Sequence, residues 1–213
     1  MVRGADNGGP ENPEVVALLR QAEAGVRERA DLTEVAQHPR IAAWREAYRE
    51  FGAKPSDFHS SVEAMVRRVR KGRQLPYINH LVALGNAISL KYLLPVGGHD
   101  VGVAQHDLWL KLATGEETFI AFGSDVVEHP KAGEVVYLDG DQVLCRRWTW
   151  RQARHTLLVP DSTHVAINVD GLPPVTPEEV AAICEELAEW VRRFAGGEVA
   201  CRYLRAGNPS IEV

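Results

Sequence analysis

The densest group of residues able to do chemistry is the run Gly97-Gly98-His99-Asp100. A glycine pair lets the backbone come close to a ligand, with its amides free to hold an anion or a carbonyl oxygen. His99 and Asp100 are of the types that supply a base or orient a water. By composition alone, the same run also describes a flexible turn between a helix and a strand. A second group is Cys145-Arg146-Arg147-Trp148-Thr149-Trp150-Arg151-Gln152. As a strand it puts Arg147, Thr149 and Arg151 on one face and Trp148 and Trp150 on the other. Guanidinium groups hold phosphate or carboxylate bidentately, and an indole stacks on a base or a side chain. Equally, such a strand can bury its tryptophans and leave its arginines in solvent. The basic run Arg67, Arg68, Arg70, Lys71 and Arg73 suits a solvated helix face better than an RNA footprint.

Other chemistries are excluded by what is missing. The sequence has no P-loop, no GxGxxG before a helix, no GxSxG and no HExxH. Its eight histidines are scattered without the i, i+4 pairing of a helical metal site, so neither metal nor cofactor is expected. Cys145, Cys184 and Cys201 are odd in number and widely spaced, which fits neither a disulfide framework nor zinc and suits a reducing cytosol. A formal net charge of −5 argues against coating nucleic acid by bulk electrostatics, so DNA is not an expected partner. The N-terminus lacks a signal-peptide pattern and no apolar run approaches ~18 residues, so a cytoplasmic protein without membrane contact is expected.

The elements that must position these residues follow from periodicity. A length of 213 residues, 45% hydrophobic and 25% charged, suits one globular domain with or without a helical extension. Met1 to about Pro13 holds Gly, Pro, Asn and Asp with little apolar content, and reads as a loose tail. Helical spacing follows from about Glu14 to Ala30, then after Pro39, with Gly52 at a C-cap. A third helix starts at Ser60, where Ser60 and Glu63 have the spacing of a capping box. A fourth spans roughly Asn79 to Leu90. The period then changes to alternation at Leu108 to Leu112, and strands are predicted at 118–122, 134–138, 142–148 and 164–169. Pro177 opens a last long helix, and 198–204 could return as a strand. Helices first, an antiparallel sheet next, then one helix and one strand define an α+β fold with helices packed on a mostly antiparallel sheet.

Five segments in order carry a family resemblance. Ser60 to Ala64, Leu75-Pro76-Tyr77-Ile78-Asn79-His80-Leu81-Val82 with Gly85-Asn86-Ala87-Ile88-Ser89, Leu94 to Asp100, Gly133 to Tyr137, and Cys145 to Gln152 together resemble stand-alone B3/4 proteins. They are also similar to the B3/B4 domain of the bacterial phenylalanyl-tRNA synthetase β subunit. The resemblance implies a tail at 1–13, a helical extension at 14–47 and a B3/B4-like domain at 48–213. It implies a site between sheet and helix layer, formed by Asn79, Asn86, Gly97, Gly98, Arg147, Trp148, Arg151 and Gln152, with His99 and Asp100 positioning water. The activity implied is metal-free hydrolysis of the ester of misacylated tRNA, acting in trans. A module that binds a tRNA end, an amino acid or a small metabolite without chemistry is the alternative. Gly97 stands where the synthetase has histidine, and no Gly-Gly-Glu segment occurs near Arg154, so tyrosine specificity is not implied. Oligomeric state is left open.

Overall fold

A computed structural model describes residues 1–212. The fold is α+β. Helix α1 (Pro13–Glu28) begins on Asn12, whose Oδ1 accepts from the amides of Glu14 and Val15, with Pro13 in the first turn where its missing N–H costs nothing. Two short 3-10 turns lead to α2 (Pro39–Glu50), followed by α3 (Ser61–Arg70) and α4 (His80–Tyr92). Helix α4 reads Leu-Val-Ala-Leu-Gly-Asn-Ala-Ile-Ser-Leu and is apolar nearly all round, so it becomes the central helix. It packs chiefly against α1, and also against α5 (Pro177–Phe194) and α3. Val15, Leu19, Val62, Val66, Leu84, Ile88, Ile183 and Leu187 meet in this layer, all buried.

Two sheets follow. The first has the order β10-β1-β9-β2, formed by β1 (Val2–Arg3), β2 (Val96–Asp100), β9 (His164–Val169) and β10 (Glu198–Val199). The second has the order β3-β6-β7-β8, formed by β3 (Leu108–Leu112), β6 (Val135–Asp139), β7 (Gln142–Arg146) and β8 (Arg151–Gln152). A small pair, β4 (Phe119–Ile120) and β5 (Val127–Glu128), lies against β7 and closes a second core of Phe119, Ala121, Val136, Leu138 and Val143. A third cluster joins Trp44 and Tyr48 of α2 to Phe58, Trp148 and Trp150. All strand pairs are antiparallel. Among the described residues no helix is long and apolar enough to cross a membrane.

The register of β2 against β9 sorts the first sheet into two faces. Gly97 pairs with Asn168 and His99 with Ala166, while Gly98 pairs with Ile167 and Asp100 with Val165. Directly opposed residues share a face. Val96, Val165, Ile167 and Val169 therefore turn to the helices, where they join the main core. Gly97, His99, Asn168 and Asp170 turn to the other side, toward the second sheet.

Several expectations are corrected. The N-terminal residues are no loose tail: Val2–Arg3 is an inner strand, Val2 is 2% exposed, and Asn7 is buried with its amide bonded to Val159 O and Leu81 N. Two apolar residues in a polar stretch were too few to show as a pattern. Helix α1 is a layer of the main core, not an extension. The capping box at α3 is half-formed, since Ser60 Oγ accepts from Glu63 N but the Glu63 carboxylate turns to Arg45 and Arg67. Residues 96–100 form a strand, not a turn; Leu93, in the left-handed region at φ 56°, ends α4 instead.

Candidate functional site

The polar face of β2 and β9 gathers the chemically interesting side chains. His99 is 5% exposed and its Nδ1 lies 2.9 Å from Thr156 Oγ1. Burial pushes its pKa down to about 4, so the ring is a neutral imidazole at physiological pH. Among the described residues, Nε2 has no protein partner. The Tyr137 ring stands 5.7 Å from the His99 ring, centre to centre. Tyr137 OH donates to Asp170 Oδ1 at 2.8 Å, and Trp148 Nε1 donates to the same oxygen at 3.3 Å. Asn168 Nδ2 donates to Asp170 Oδ2 at 2.6 Å. Asp170 forms no ion pair among the described residues, and loss of hydration pushes its carboxyl above the usual range. Burial likewise holds the Tyr137 hydroxyl in its protonated form.

The sequence-predicted residues divide sharply around this cluster. His99, Gly97 and Trp148 belong to it. Gln152 borders it, donating from Nε2 to Gly98 O at 2.7 Å. Asp100 does not join His99, because neighbours on a strand face opposite ways. Its carboxylate accepts from Gly102 N and from Ser162 Oγ at 2.6 Å, which clasps a loop. Asn79 caps α4 through Val82 N and fastens Leu158 O with its amide nitrogen. Asn86 is half-buried on α4. The residues expected together between sheet and helix layer thus lie on different faces, and the polar cluster is on the face turned away from the helices.

The arginines are elsewhere. Residues 147–150 form a turn, not a strand, with Arg147 and Trp148 both in the left-handed region at φ 47° and 62°. The turn carries Arg147 inward, where its guanidinium lies 3.6 Å from the Phe58 ring centre and 4.3 Å from that of Trp150. Arg147 is 6% exposed and stands 3.6 Å from Glu134, so it presents no surface to a phosphate. Arg151 is on the surface, 3.5 Å from Glu128. The basic run on α3 is similarly engaged: Arg67 bonds Glu63, Arg68 bonds Gln74 O and Arg70 bonds Arg27 O.

Tyr137, Thr156, Asn168 and Asp170 complete the cluster and are not among the residues singled out from the sequence. The available signal was limited to Asn168, a polar residue on a strand whose alternate positions are Val165, Ile167 and Val169. Cys145, opposite Tyr137 in the register, is held as the thiol, since burial pushes its pKa up to about 12. His106 and His155 share one partner away from the site: each has a ring nitrogen bonded to the buried Asp139 carboxylate. Among the described residues no group of three or more His, Cys, Asp or Glu could hold a metal.

The two glycines answer differently to a side chain. A Cβ on Gly98 would meet Leu158 Cδ1 at 2.6 Å on the core side, whereas one on Gly97 would meet Asn168 Oδ1 at 2.8 Å on the site side. Gly98→Val should therefore destabilise the fold by ~1–3 kcal/mol through overpacking. Gly97→Ala should displace Asn168 and perturb the site with a smaller change in melting temperature. Equal melting shifts for the two variants would contradict this division of faces.

Compared with protein families, residues 43–196 match the B3/4 domain, and the chain belongs to that family. No curated protein matches the chain.

Proposed function

We propose that this B3/4 protein receives the aminoacyl end of a charged tRNA and hydrolyses its ester. The observation that carries the reading is the neutral imidazole of His99, fixed at Nδ1 by Thr156 and without a protein partner at Nε2. It shares a sheet face with Asp170, whose carboxylate receives three donors and so keeps one of about four acceptor positions. That position suits the ammonium group of an amino acid. Gly97, without a side chain, leaves its place to Asn168, which holds the other carboxylate oxygen of Asp170. In the reaction, water adds to the acyl carbonyl, the bond to the ribose oxygen breaks, and the proton passes to that oxygen. With a pKa about 4, His99 orients the water through Nε2 and is too weak a base to deprotonate it alone.

The test is release of amino acid from a panel of correctly and incorrectly charged tRNAs, at stoichiometric and at catalytic protein concentrations. Turnover is expected on at least one mischarged species, and His99→Ala, which loses the positioning of the water, should slow it ~10²-fold. The rate should fall in acid, as the Asp170 carboxylate, whose pKa burial raises, and His99, at about 4, gain their protons. No release from any species by folded protein would refute hydrolysis.

One observation favours the alternative of binding without chemistry. Asp100 is locked in a loop clasp and Arg147 is buried, so neither a second catalytic group nor a phosphate clamp stands beside His99. Calorimetric binding of a free amino acid, lost in Asp170→Asn, with no ester cleavage would establish that reading.

A further inference from the structure

The free edge of the second sheet is unusual for its side chains. Strand β3 reads Leu-Trp-Leu-Lys-Leu, and it lies at the sheet edge with only β6 beside it. Trp109, Leu110 and Leu112 are 55%, 41% and 62% exposed. Soluble proteins commonly blunt such edges, because the unpaired backbone is a template for another strand. Here the one charge on the strand is Lys111.

The backbone is set for pairing. Ala113 N donates to Glu134 O, and Ala113 O accepts from Gly133 N, both at 2.8 Å. Alternation along the antiparallel pair then turns the N–H and C=O groups of Trp109 and Lys111 toward β6, and those of Leu108, Leu110 and Leu112 outward. Among the described residues these outward groups make no other hydrogen bond.

We propose that β3 pairs antiparallel with β3 of a second copy of this chain, joining the two second sheets into one across a twofold axis at Leu110. A strand edge meeting its own copy this way is self-complementary, as a twofold interface requires. Centred on Leu110, the register sets Leu108 opposite Leu112 of the second copy and Trp109 opposite Lys111 of the second copy. Each lysine thus lies against an indole, a favourable cation–π pair, and no lysine faces a lysine. Leu108, Leu110 and Leu112 share the face of Tyr137, their neighbour across the β3–β6 ladder. The second copy's leucines would continue that apolar row beside the candidate site. A contact through one five-residue strand falls below the ~800 Å² per partner of a standard interface, so a weak dimer is expected.

Sedimentation velocity of the full chain from ~1 to ~200 µM tests this. Wild type should move from the mass of one chain to that of two. Leu110→Pro removes an outward N–H while leaving the bonds to β6 intact, and should weaken association at least about tenfold. Trp109→Lys sets lysine against lysine and should do the same with unchanged circular dichroism, which keeps the test decisive if the proline variant misfolds. Monomer at every concentration, or dimer equally strong in a folded variant, would overturn the proposal; the first result would leave the edge to a strand from another protein.

Discussion

Glu134→Gln is expected to remove ~3–5 kcal/mol of folding stability, measured by chemical denaturation at neutral pH, because it strips a buried cation pair of its counter-charge. Glu134 is 3% exposed and receives both Nε and Nη2 of Arg146 at 2.8 Å, in a bidentate pair. The backbone N–H of Arg147 donates to the same carboxylate at 3.2 Å, which helps to fix the left-handed turn. Without it, Arg146 keeps only the half-exposed Glu128, and the buried Arg147 loses its nearest anion. A typical domain has ~5–15 kcal/mol in all, so the variant would be near its limit. Replacing Arg146 by methionine in the same protein should recover part of the loss, since an apolar group does not miss the carboxylate. A single variant that loses less than about 1 kcal/mol would show that water reaches this pair.

The same carboxylate predicts a pH effect. Burial pushes the Glu134 pKa up, but the bonds and charge of Arg146, with Arg147 beyond, outweigh it and hold the group below its usual value. A carboxyl depressed in the folded state contributes stability above its unfolded pKa of ~4.3, and the contribution is lost as pH falls through the folded value. Wild type should therefore lose stability in acid more steeply than Glu134→Gln. Parallel acid limbs would contradict the assignment.

Deleting residues 1–7 is expected to unfold the protein, although the segment looks dispensable by composition. The deletion removes the strand between β9 and β10, the buried Val2 and Ala5, and the Asn7 amide. Burying one valine contributes roughly 1.5–3 kcal/mol. The Leu81 amide and Val159 carbonyl, left without Asn7, would each cost ~1–3 kcal/mol if they stay dry. The sum approaches the whole stability of a domain. Asn7→Ala alone should lower stability measurably and leave the strand in place. Normal circular dichroism and a near-native melting temperature in the deletion would count against this role.

The helices were legible because their signals are local. The spacing of α1, Ser60 at the start of α3 and Pro177 at the start of α5 are each visible within a few residues. The alternating strands β3, β6, β7 and β9 could be read for the same reason. Site residues were harder, because their meaning lies in pairing across the chain. Gly97-Gly98 has the composition of a turn, and only the partner β9 makes it a strand with one glycine on each face. Arg147 and Trp148 have the alternation of a strand, but Glu134 and the aromatic rings of Phe58 and Trp150 hold them in a left-handed turn. His99 stands out by its type and Asp170 does not, since a single aspartate after a strand carries no local sign that Tyr137, 33 residues earlier, donates to it.

The placement of β1 has a consequence for synthesis. Strand β1 pairs with residues near 165 and near 199, so during synthesis it waits for partners made long after it. Helices α1, α3 and α4, which contact one another within the first half of the sequence, can assemble earlier. The first sheet is then completed late, and a nascent chain halted before residue 198 would hold β1 without a neighbour on one side.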